Sequence, residues 1–242
     1  MTPPWFTSLR QFPDLWDHGL PALTYHKVGP RPWRVRLRGL YLSPNLFRRQ
    51  LTELAAAGAT FLTPDDLPLN PQPPRGIFLT FDDGFANTFH HALPALIQHR
   101  ATAIQFLVAD RLGRLNGWEI AQGETPERLM DISQVREWLA AGQRIGAHTR
   151  THPHLPQIPL RQARDEIFGS KKKLEDLFNQ PIHHFCYPYG DLSDPILDLV
   201  AEAGFRTAWT TRPAGNRPET DPLQLGRFTA RGPTLRLFPR RP

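Results

Sequence analysis

The stretch GIFLTFDDGF, Gly76 to Phe85, decides how the rest of the chain is read. Ile77, Phe78, Leu79 and Phe81 make a short, nearly continuous apolar run, the pattern of a strand buried on both faces. Two adjacent carboxylates, Asp82 and Asp83, stand where the run stops, followed by the turn residue Gly84. A strand with that ending delivers both charges to the open end of a parallel sheet, where α/β folds carry their chemistry. Asp and Gly are also ordinary turn formers, so DDG by itself reads equally well as an acidic turn. The flanking sequence has to separate the two.

Upstream, LPALTYHKV (Leu20 to Val28) reads as a first core strand with His26 near its end. Ser43 caps a helix running to about Ala57, with Leu46, Phe47, Leu51 and Leu54 apolar and Gly58 as its stop. Ala59 to Thr63 is a short strand, and Pro64 to Pro74, with five prolines, is a loop. Downstream, Ala86 to His99 is helical by period and Thr102 to Val108 is the next buried strand. Asp110 to Met130 is a long connection holding Asn116, Trp118 and Glu119, and connections of that length in compact domains are often functional. Ser133 to Ala141 is a helix. Arg144 to Ala147 is a strand leading into HTRTH, Leu160 to Phe178 an amphipathic helix, and His183 to Tyr187 a strand leading into PYGD. Pro195 to Ala203 is a helix, Phe205 to Thr210 a strand, and Leu225 to Ala230 the last strand. Strand and helix alternate roughly seven times, which predicts a parallel sheet or barrel within one domain over residues 1–242.

Composition narrows the function. The 242 residues are 40% hydrophobic and 10% aromatic, and no run approaches a membrane span. Met1 to Pro4 lead into Trp5 and Phe6 without a basic segment and apolar core, so the expected compartment is the cytoplasm. The one cysteine, Cys186, excludes an internal disulfide. The net charge of +6 comes almost wholly from arginine, with Lys27 and Lys171 to Lys173 as the lysines, which favours anionic neighbours. RPWRVRLR, with Arg31, Arg34, Arg36 and Arg38, reads as a charged loop or edge strand, or as a peripheral contact for an anionic surface. No zinc-finger or RNP pattern supports nucleic acid as a partner.

His148 and His152 sit four apart directly after a strand, so one tight turn would point both imidazoles the same way. With one carboxylate they compose a metal site that leaves positions open for water. Surface histidines or a cap would explain such a pair alone. Polar marks at the ends of three strands, DDG at 82–84, HTRTH at 148–152 and YPYGD at 187–191, are hard to explain as packing.

TFDDGF, HTRTHPHL and FCYPYGD together resemble the NodB-homology polysaccharide deacetylases, carbohydrate esterase family 4, over roughly residues 20 to 230. The resemblance implies a distorted, TIM-barrel-like (β/α) barrel of about seven parallel strands, which removes N-acetyl groups from an acetylated carbohydrate with a divalent metal. It implies that Asp82 is the catalytic base, and that Asp83, His148 and His152 hold the metal. Tyr189, within Pro188-Tyr189-Gly190, would offer its NH to the oxyanion. Zinc is the default ion for two histidines and a carboxylate, with cobalt, nickel or manganese able to fill the same site.

The chain departs from that pattern. Cys186 stands where the family places an arginine against the base, and no histidine follows His184 to serve as general acid; LRLF at 235–238 has only the apolar shape. His26, in TYH upstream of DDG, resembles the acid of the poly-N-acetylglucosamine deacetylase branch, whose motif order looks permuted and which tends to lack that arginine. The other reading of His26 is a histidine that ends a strand. A base Asp82 and an acid His26 predict a bell-shaped rate profile. Trp118 and Asn116 could meet a sugar ring, Trp118 being equally readable as core. His154 reads as a loop residue and Cys186 as a small buried one. Lipid- or nucleotide-linked sugars, or a silent carbohydrate-binding role, are the competing functions.

Overall fold

The apolar run at 76–81 is buried at every residue and lies in the middle of one nine-stranded sheet. In the computed structural model the described residues are 5–33, 35–67, 73–120 and 123–232. Met1 to Pro4, Arg34, the middle of the proline-rich connection (68–72), LRLF and the PRRP tail lie outside them.

In chain order the strands are β1 (Trp5–Phe6), β2 (Ala22–Tyr25), β3 (Lys27–Val28), β4 (Tyr41–Leu42), β5 (Thr60–Leu62), β6 (Gly76–Phe81), β7 (Ile104–Leu107), β8 (Arg144–Ala147), β9 (His184–Cys186), β10 (Thr207–Trp209) and β11 (Phe228–Ala230). The helices are α1 (Pro44–Ala56), α2 (Ala86–His91), α3 (Leu93–Gln98), α4 (Ile132–Ala140), α5 (Leu160–Phe178) and α6 (Asp194–Glu202). The main sheet runs β1-β11-β2-β6-β7-β8-β9-β10, every pair parallel, with β5 also on β6. The sheet curls. Its last segment touches β10 through a parallel bridge from Leu225 to Trp209, and three residues later pairs with β2 at Leu23. The expected distorted barrel is therefore present, with β1 as an added strand from the N-terminal WF.

Alternation along β6 sorts its side chains. Ile77, Leu79 and Phe81 pack with the helices in the main core, whereas Phe78 belongs to a second cluster inside the curl with Ala22, Ile104, Phe106, Cys186, Trp209 and Leu225. Phe78 and Trp209 meet edge to face across that interior, 5.4 Å apart. Continuing the alternation, Thr80 and then Asp82 face inward.

Two expected elements are divided. The helix expected over 86–99 is two short helices, because Pro94 sits in the first turn of α3 and has no NH to continue the ladder of α2. The strand expected over 20–28 stops at Tyr25, and Lys27–Val28 instead pairs with Tyr41–Leu42 in a separate two-stranded sheet. His26 occupies the break between the two sheets. No helix among the described residues is long and apolar enough to cross a membrane.

Candidate active site

At the carboxyl ends of the strands a cleft of about 540 Å³ is lined by His26, Asp82, Asp83, Trp118, Glu119, His148, His152 and Tyr189, with a further wall described below. Seven of the expected residues, His26, Asp82, Asp83, Trp118, His148, His152 and Tyr189, converge there.

Asp83 leaves β6 with φ 70°, a left-handed conformation that Asp tolerates better than most residues, and so turns away from its neighbour Asp82. Its Oδ1 stands 3.3 Å from His148 Nε2 and 3.2 Å from His152 Nε2, all three side chains being nearly fully buried. His148 Nδ1 donates to the Cys186 carbonyl at 2.7 Å, which leaves the Nε2 lone pair available to a metal ion on the side of Asp83. The HTRTH turn is held from below by buried Glu166 of α5, which accepts from the NH groups of Arg150 and Thr151 at 2.8 Å each. Thr149 and His152 both adopt positive φ, 63° and 70°, and Thr149 Oγ1 accepts from the His152 NH. Non-glycine residues in that region cost on the order of 1 kcal/mol each and persist where surrounding bonds over-determine them. The ligand atoms of Asp83, His148 and His152 lie within 4.8 Å of one another. Two imidazoles and a carboxylate at that spacing fit a divalent metal.

Asp82 points to a different partner. The buried Arg227 guanidinium grips it with both oxygens, NH1 to Oδ1 at 2.7 Å and NH2 to Oδ2 at 2.8 Å. Arg227 also donates to Thr80 Oγ1, to the Thr210 carbonyl and to Cys186 Sγ. Burial pushes the Asp82 carboxyl up, but the charge and hydrogen bonds of Arg227 outweigh it and hold the group below its ordinary range. The arginine missing at position 186 is thus supplied from the other end of the chain, and Cys186 fills the space beside it. Sequence reasoning missed Arg227; the signal was a lone charge inside LGRFTA, Leu225 to Ala230, expected to be the last strand, where an unpaired charge is almost never tolerated.

His26 Nε2 lies 3.9 Å from Asp82 Oδ2, with the ring 18% exposed to the cleft. Thr88 Oγ1 donates to its carbonyl. Burial lowers its pKa, with the two carboxylates opposing.

The long connection closes one side. Trp118 stacks on the His152 ring, centroids 4.5 Å apart and planes 23° apart, and faces the cleft. Asn116 does not. It is fully buried, its amide donating to Glu119 and its carbonyl accepting from the Glu127 NH, so the expected sugar contact is instead a clamp inside the loop. Glu119 in turn meets Lys27 Nζ at 2.6 Å, and that ammonium lies over the Tyr41 and Phe85 rings. Lys27, which opens β3 next to His26, therefore ties the loop to the backbone beside the histidine.

Tyr189 adopts φ 61° between Pro188, which is buried, and Gly190, where a Cβ would meet Thr211 Oγ1 at 2.1 Å. The Tyr189 ring stacks on His154, whose Nδ1 donates to Asp191 at 2.6 Å. His154, read from sequence as a loop residue, braces this turn. His184 is remote, bonded to Asp65 and Thr207 at the opposite end of the strands.

The sequence model of the family described as polysaccharide deacetylase matches residues 69–208, more than half of the chain. The chain is 29% identical over 143 residues to a chitooligosaccharide deacetylase of Bradyrhizobium sp., covering 57% of this chain and 58% of the relative. It is 20% identical to a poly-β-1,6-N-acetyl-D-glucosamine N-deacetylase of Staphylococcus aureus, covering 86% and 77%. Among solved structures, IcaB from Ammonifex degensii superposes with a TM-score of 0.76 at 26% identity, covering 88% of this chain and 91% of that one. The chain spans 58% to 65% of the length of the first curated relatives it matches. With the motif strands, the buried carboxylate pair and the family match all in agreement, the chain belongs to the polysaccharide deacetylase family.

Proposed function

We propose that this protein hydrolyses N-acetyl groups on an acetylated amino-sugar polymer or oligomer. The observation that carries the reading is the division of labour between Asp82 and Asp83: adjacent carboxylates in one cleft, one held by a permanent cation and one facing two imidazoles. The chitooligosaccharide and poly-N-acetylglucosamine deacetylases to which the chain is similar support it.

Asp83, His148 and His152 would hold the metal, and zinc suits two histidines and one carboxylate. When bound, such an ion supplies a Lewis acid that acidifies water and polarises a carbonyl. Asp82, kept ionised by Arg227, accepts the proton of the attacking water. His26, across the same cleft, donates a proton to the departing amine, which is otherwise a very poor leaving group. The Tyr189 NH, aimed by the Pro188–Gly190 turn, is the donor for the developing oxyanion, a contribution of a few kcal/mol per donor. Trp118 offers its face to the sugar ring. A silent binding role does not call for a desolvated Asp82 held ready beside a metal triad.

The test is acetate release from N-acetylglucosamine oligomers and from an acetylated xylan, by wild type, Asp82→Asn and His26→Ala, with metal content measured in each. Release by wild type alone, with metal in all three, is the expected result. Metal binding without release from any amino sugar would overturn the reading.

A further inference from the structure

Beyond the acid–base pair the cleft continues to a wall made by Trp5, Leu37, Leu40, Thr229 and Arg231. Arg231 follows β11 directly and its NH donates to the Phe6 carbonyl at 2.8 Å, so its backbone is fixed by the same pairing that joins β1 to the sheet. Its guanidinium lies over the Trp5 ring, 5.6 Å from the centroid, and Trp5 is 39% exposed. Gly39 approaches from elsewhere: a Cβ at that position would stand 3.4 Å from Arg231 Cζ and Nε. The indole and the Gly39 backbone thus flank the guanidinium and set its position.

Charge balance singles it out. Among the described residues that line the cleft, Arg231 is the one arginine or lysine, and no carboxylate pairs with it. The acids lining the cleft are already engaged: Asp82 by Arg227, Asp83 by two imidazoles, Glu119 by Lys27. A neutral glycan would bring nothing of opposite charge to this side chain. A phosphate or carboxylate would, because the guanidinium fork is permanently charged and matches two oxygens at once.

We infer that Arg231, stacked on Trp5, receives an anionic group, phosphate or carboxylate, carried by the same glycan whose acetamido group reaches Asp82. This rests on the deacetylase reading and adds a charge requirement to its substrate.

Three N-acetylglucosamine oligomers test it: one neutral, one with a phosphate on the sugar next to the acetylated unit, and one with a carboxylate there. Acetate release and calorimetric affinity are measured for wild type, Arg231→Gln and Arg231→Lys. A charged bidentate contact leads to a wild-type preference of about tenfold in kcat/KM for an anionic over the neutral oligomer. That ratio should collapse toward one in Arg231→Gln and persist in part in Arg231→Lys. A preference confined to the phosphate arm assigns a phosphoester, and one confined to the carboxylate arm an acidic sugar. A wild-type ratio near one, or a ratio that Arg231→Gln leaves intact, overturns the inference. If no oligomer is hydrolysed the deacetylase reading fails separately. The calorimetry then decides: tighter anionic binding lost in Arg231→Gln supports the subsite, and equal or absent binding overturns it.

Discussion

The two sides of the cleft are assembled from different kinds of neighbours. On the metal side, Asp83, His148 and His152 come from turns that directly follow β6 and β8, and each turn is shaped by its own positive φ and by local hydrogen bonds. On the acid–base side, Asp82 meets Arg227, which lies 145 positions further along the chain, and His26 from the break after β2. The metal side carries a carboxylate matched only by imidazoles. The acid–base side brings its own permanent cation. The difference teaches that one half of the proposed site would depend on an external ion, while the other is built in when the curled sheet brings its last strand beside β2.

The largest expected effect tests the dependent half. Chelating the metal, or replacing Asp83 with Ala, should reduce acetate release to background; returning zinc restores the chelated wild type but not Asp83→Ala, with metal analysis as the check. Next, Asp82→Asn should keep its metal yet lose roughly 10³-fold in kcat, within the range for a general acid–base residue. Lost metal in that variant would join the two sides into one unit.

His26→Ala should cost about 10²-fold, and its pH profile is the sharper readout. In wild type, kcat/KM rises as Asp82 ionises and falls as His26 loses its proton. Arg227 outweighs burial and places the rising limb below the ordinary carboxylate value of 3.8, while burial places the falling limb below the ordinary histidine value of 6.5. His26→Ala should erase the falling limb alone.

Arg227→Met acts on the self-sufficient half. Leaving Asp82 buried and unpaired should cost about 3–5 kcal/mol in denaturant unfolding. Without the cation the Asp82 pKa rises, so the rising limb moves to higher pH. Adding Asp82→Asn in that background should recover part of the stability, and no recovery would mean that the pair is not the source. Smallest is Trp118→Ala, expected to raise KM roughly three- to tenfold, as loss of one aromatic face implies, with unfolding little changed.

How much was legible follows the same division. The proposed metal ligands could be read because DDG and HTRTH are contiguous and follow apolar strands. Arg227 could not be assigned, although its charge inside LQLGRFTA was visible, because its partner is chosen by how the sheet curls. Asn116 was read toward the cleft and turns inward, since nothing local says which side of a long loop its amide faces; Glu119 and the Glu127 backbone decide that. Pro94 was a local signal, and it divides the expected helix at that place.

By itself the sequence determined the rhythm of parallel strands, the carboxyl-end placement of the motifs and the choice of Asp83, His148 and His152 as the proposed metal ligands, because apolar periodicity and turn chemistry act over a few residues. Only the tertiary structure decided that Arg227 neutralises Asp82, that Lys27 anchors the Trp118 loop through Glu119, and that Arg231 lines the cleft with no carboxylate partner among the described residues. Those pairings join segments far apart in the chain, and buried charge is balanced by whichever partner the fold delivers.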